Sequence, residues 1–191
     1  MVWDIGTMGF GITGSLDHAV VRELAPRVEA AGFRTLWVND TPDGDALASL
    51  QIAAAVTGRI RLATGVISVD RRSPDSIIEA ARRRDLPLDR LVIGIGASRP
   101  PHPLAQVREA IVRIRQGLNV PVVVGALGPR MRRLGVQEGD GLLLNWLTPE
   151  AARQAMADAE RDRSEAGKTS VHVGLYIRVA LGPAAREVLR A

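Results

Sequence analysis

Short apolar runs alternate along this chain with longer amphipathic stretches, and the two rhythms predict two kinds of element. Runs bounded by Gly or Pro and too short for a buried helix read as buried strands. They fall at residues 34–39, 60–69 and 91–95, after Pro121, around 142–144 and at 171–181, with a glycine-rich first strand at 5–13. Between them, apolar residues recur at helical spacing in 17–31, 45–58, 74–84, 104–116, 129–139 and 149–166. Asp45 suits an N-cap, Pro74, Pro129 and Pro149 suit first turns, and Gly32, Gly58 and Gly139 close helices. Pro26 predicts a kink or a shortened first helix. Consecutive prolines make 99–103 irregular, and Gly182-Pro183 opens a last helix.

A strand about every 25 to 30 residues, with a helix between, is the pattern of repeated right-handed β-α units around a parallel sheet. Seven strands are expected. The 191 residues suit a single domain over 1–191, and they fall short of the roughly 250 of a closed eight-stranded barrel. A missing eighth strand would leave the first and seventh with unpaired edges. A partner copy covers those edges, or the barrel is open, or the chain is a fragment.

Composition narrows the function classes. No apolar run nears the ~18 residues of a membrane span, and the N-terminus MVWDIGTMG lacks a basic segment followed by an apolar one. We therefore expect no membrane partner and a cytoplasmic chain. Cys is absent, which removes disulfides and thiolate chemistry. The charge of +4 is carried by Arg mixed among acidic residues, with Lys168 the only lysine and 3% aromatics. That argues against a nucleic-acid partner, which asks for a basic stripe with stacking rings.

Several motifs fail on inspection. Gly94-Ile95-Gly96-Ala97-Ser98 lacks the third glycine of a dinucleotide turn, and Pro100-Pro101 stops a helix from opening there. Gly167-Lys168-Thr169 has Asp162 where a P-loop requires glycine. His18, His102 and His172 have no metal-type spacing, so no metal ligands are assigned. No GxSxG nucleophile motif occurs.

The segment GALGPRMRRLGVQEGDGLLLNWLTPE (125–150) closely resembles the signature of the bacterial luciferase-like, flavin- or deazaflavin-dependent oxidoreductases. The resemblance extends through GFRTLWVNDTPDGDAL, GRIRLATGVISVDRRSP, LDRLVIGIGAS and VGLYIRVALGP, in the family's order. It implies an α/β fold of the (β/α)8 TIM-barrel type, here incomplete with about seven strands, and hydride transfer to or from a small organic substrate. The implied cofactor is FMN or the deazaflavin coenzyme F420. The other reading is a shortened, catalytically inactive homologue acting as a binding or assembly partner, and a homodimer covering the strand edges fits either.

In such a barrel the site lies at the carboxyl ends of the strands. The resemblance implies catalytic or substrate contacts at Asn39 and Asp40; alternatively Asp40 and Asp43 order the turn. Thr64, Gly65 and Val66 fall where the family carries a non-prolyl cis peptide in a bulge supporting the flavin ring; the plainer reading is a glycine bulge. Gly96, Ala97 and Ser98 leave room for a cofactor edge or serve a tight turn. Ala126, Leu127 and Gly128, with Arg130 at a helix N-terminus, suit a phosphorylated tail. Arg130 could instead lie on the outer face with Arg132 and Arg133. Trp146 packs beside a cofactor or in the core, and Tyr176 and Arg178 face either the lumen or the helices together.

Overall fold

The structure is a computed structural model that describes residues 8–97, 102–180, 182–185 and 187. Strands β1 (Gly9–Thr13), β2 (Thr35–Asn39), β3 (Arg61–Thr64), β4 (Ile67–Ser68), β5 (Leu91–Gly96), β6 (Val122–Gly125), β7 (Gly141–Asn145) and β8 (His172–Tyr176) alternate with six helices. These are α1 (His18–Ala30), α2 (Ala46–Ala54), α3 (Pro74–Arg83), α4 (Pro103–Leu118), α5 (Pro129–Gln137) and α6 (Pro149–Glu165). All pairings are parallel, in the order β1-β2-β3-β5-β6-β7-β8, with β4 an extra short partner of β5. Seven parallel strands therefore form an incomplete barrel. Among the described residues nothing pairs with the outer edge of β1 or of β8.

Alternation along each strand divides the apolar residues into two cores. Leu36, Val38, Leu62, Leu91, Ile93, Val122, Val124, Leu142 and Leu144 point outward and pack with Val21, Leu47, Leu50, Ile77, Ile111 and Leu134 of the helices. The opposite parity supplies a smaller lumen core of Trp37, Ala63, Val92, Val123 and Leu143, joined by Val66 and Tyr176. Each helix starts where its first residues predict. Asp17, Asp45, Ser73 and Thr148 accept hydrogen bonds from the first free N–H groups of α1, α2, α3 and α6.

The strand read over 60–69 carries the expected bulge: β3 ends at Thr64, Gly65-Val66 bulges, and β4 resumes on β5. Two expectations change. The strand read over 171–181 stops at Tyr176, because the segment after it has no neighbouring strand to pair with; Ile177 and Val179 stand exposed. Helix α1 is not shortened by Pro26 but runs through it. Residues 5–7 of the expected first strand, Ser98, Arg99, Pro100 and Pro101, Leu181, and most of the expected last helix lie outside the described residues.

Candidate functional site

Because every strand runs the same way, the residues that follow β2, β3, β5, β6 and β7 collect at one rim. At the end of β2, Asn39 is exposed and its carbonyl accepts the Gly14 N–H at 2.8 Å. Asp40 is committed differently. Its carboxylate takes Arg71 Nη2 at 2.9 Å, Arg72 Nη1 at 3.3 Å and the Ala46 N–H at 3.2 Å, and only 3% of the side chain is exposed. Arg72 also reaches Asp45 at 3.2 Å, and Arg84 reaches it at 2.6 Å. These contacts tie the β2–α2 loop to the segment entering α3 and to Arg84 at its end. Burial pushes the Asp45 carboxyl up, but the Ala48 N–H, Arg72 and Arg84 outweigh it and hold Asp45 below the usual range.

Beside it, Thr64 is fully buried and spends its hydroxyl inside the sheet, donating to the Gly94 carbonyl at 2.9 Å and accepting the Gly94 N–H at 2.8 Å. It stitches β3 to β5 where the bulge interrupts the ladder. Gly94 has to be glycine there, since a Cβ would run into the Thr64 carbonyl. The Gly65–Val66 peptide is cis. The room left by Gly96 and Gly125 is taken by the Val66 methyls, which would lie 3.1 and 2.9 Å from a Cβ at those positions. Val66 thus forms the floor of the mouth, with half-buried Ala97 next to β5.

On the other flank, Ala126 is buried and donates to the Leu143 carbonyl at 3.2 Å, whereas Leu127 is 76% exposed. Gly128 caps α5 without a side-chain bond, in contrast to the side-chain caps of α1, α2, α3 and α6. Arg130 is exposed and meets no ion-pair or hydrogen-bond partner among the described residues. It lines a shallow groove between α5 and α6, where Arg132 faces Asp158 at 4.0 Å and Arg133 pairs with Asp162 at 3.7 Å and with Glu165. Trp146, 77% exposed with φ 52°, leaves β7 at the same rim.

Sequence reasoning left Tyr176 between two faces. Its ring lies in the lumen, edge-on to Trp37 with centroids 6.3 Å apart, and Arg178 is exposed beyond the strand's end. The Arg71-Arg72 pair that holds Asp40 was also missed; two cations beside a strand end, opposite a lone carboxylate, were the available signal. Among the described residues, no three His, Cys, Asp or Glu side chains gather as a metal site. No helix there is long and apolar enough to cross a membrane.

The model of the luciferase-like monooxygenase family matches residues 9–110 and 102–191. The chain belongs to that family. This luciferase-like chain is 34% identical over 122 residues to a Mycobacterium tuberculosis protein whose name describes a coenzyme F420-dependent oxidoreductase, covering 58% of this chain and 35% of that protein. It is 27% identical over 177 residues to the 5,10-methylenetetrahydromethanopterin reductase of Archaeoglobus fulgidus, covering 74% and 53%. In structure it is similar to the coenzyme F420-dependent tetrahydromethanopterin reductase of Methanopyrus kandleri, with TM-score 0.78, 20% identity and coverage of 88% and 64%. The luciferase-like chain thus spans about a third to a half of the length of the curated relatives it matches.

Proposed function

We propose that the chain serves a flavin- or deazaflavin-dependent oxidoreductase, with FMN or coenzyme F420 as cofactor and a small organic molecule as substrate. What supports this reading is that the candidate rim residues, drawn from five neighbouring strand ends, collect at one mouth in a member of the luciferase-like family. The names of two relatives favour F420. The cofactor, when bound, supplies the hydride chemistry, and the protein binds, orients and excludes water.

Gly65 and Val66 would support the ring, Ala97 and Ala126 would leave backbone approach free, and Gly128 and Arg130 would grip an anionic tail. The fit is chemical. A helix start without a side-chain cap, beside a guanidinium that meets no partner among the described residues, suits an anion. Asn39, exposed at the rim, would contact substrate, with Asp40 bracing its loop through Arg71 and Arg72. Thr64 would act through the sheet, holding the bulge in place. A homodimer would cover the apolar residues exposed along the outer edge of β8.

Separate titrations with FMN and with coenzyme F420, followed by absorbance and fluorescence, test the reading. Saturable binding of one is expected, with R130A weaker by about tenfold, the value of one charge-assisted contact. Saturable binding of neither would overturn it.

A further inference from the structure

The lumen holds a polar group that no other described residue uses. Tyr176 ends β8 and is the only tyrosine of the chain. Its side chain crosses toward the far strands: a Cβ at Gly11 of β1 would lie 2.6 Å from Cε1, and one at Gly65 would lie 2.5 Å from the hydroxyl. Both positions are glycine where the ring needs the room. Trp37, Leu143 and Val66 complete an apolar surround. The hydroxyl is buried and has no hydrogen-bond partner among the described residues, and burial raises its pKa, so it keeps its proton.

A phenol in such a place is worse than a phenylalanine unless it finds an acceptor, because an unsatisfied buried donor forfeits its hydration without return. The hydroxyl faces the side on which Gly65 lacks a side chain: a Cβ built there would sit 2.5 Å from it and 3.1 Å from the tip of Leu143. A ligand atom that reaches the bulge on that side of Gly65 would therefore stand beside the hydroxyl.

We propose that the Tyr176 hydroxyl is a ligand-specificity contact, donating a hydrogen bond to a carbonyl oxygen or ring nitrogen of the flat heterocycle that enters the mouth at Gly65. This deepens the reading above and rests on it. The donor selects ligands that present an acceptor on that edge, and it contributes nothing to the ligand-free fold.

The test uses the whole chain and two probes, FMN and coenzyme F420. Y176F keeps the ring and its packing. It is expected to melt at or above the wild-type temperature, to bind whichever cofactor wild type binds about tenfold more weakly, and to shift the bound cofactor's absorbance maximum. Wild type grown with 3-fluorotyrosine has a single fluorine resonance, which should move as the cofactor saturates. A lower melting temperature for Y176F would reveal a partner within the fold and overturn the proposal. Unchanged affinity, or an unmoved resonance at saturation, would overturn it while leaving the cofactor reading standing. If wild type binds neither cofactor, both fall together.

Discussion

At the scale of single residues, Thr64 shows how a candidate contact becomes a structural one. Its hydroxyl bridges both polar groups of Gly94, so T64V would leave a buried N–H and a buried carbonyl unpaired. We expect a loss of about 2 to 6 kcal/mol, at ~1 to 3 per unsatisfied group. It would be seen as a lower urea midpoint with unchanged slope, and T64S should recover most of it. The sequence placed Thr64 beside the bulge correctly, but nothing in a strand's alternation says that a hydroxyl will replace ladder bonds interrupted two residues later. Space beside a glycine goes first to whatever side chain is nearest, and at Gly96 and Gly125 Val66 reaches it. Asp40 carried two readings, and only the positions of Arg71 and Arg72, thirty-odd residues away in sequence, show its carboxylate to be engaged.

Among the elements, α2 has a start held by charge. Asp45 accepts the N–H groups of Leu47 and Ala48 and pairs with Arg72 and Arg84. Because its folded pKa is lowered, the stability it contributes is fully present above the unfolded value of about 3.9 and is lost as pH falls through the folded value. D45N keeps a capping oxygen and removes the charge. We expect it to cost about 1 kcal/mol at pH 7, the modest figure reflecting a partly exposed carboxylate. That difference should close as pH drops below about 4 in parallel denaturation series. Helix starts were legible because Asp, Ser, Thr and Pro at the first turn act locally, and strand order followed from the β-α alternation. Strand ends were less so: whether a strand continues past Thr64 or Tyr176 depends on a neighbour, and neighbours are not local information.

Over the whole molecule, the open side of the barrel has a measurable consequence. Leu175, Ile177, Val179 and Met156 are exposed along or beside β8 and α6, next to a groove lined by Ala159, Val171 and Val173. Apolar surface gathered on one flank favours association. Sedimentation equilibrium should therefore give a mass that rises with concentration above 20.5 kDa, and the double substitution I177K with V179K should return it to the monomer. A concentration-independent 20.5 kDa species in wild type would remove the homodimer.

The break at the bulge divides the sheet into two ladders, β1-β2-β3-β5 and β4-β5-β6-β7-β8, and β5 alone belongs to both. Either ladder can fray from its outer side without disturbing the other, but neither can open fully while its common member stays in place. That makes residues 92–95 the keel of the protein. In deuterated solvent their amides should be the last to exchange, after those of the first and final strands have long been replaced.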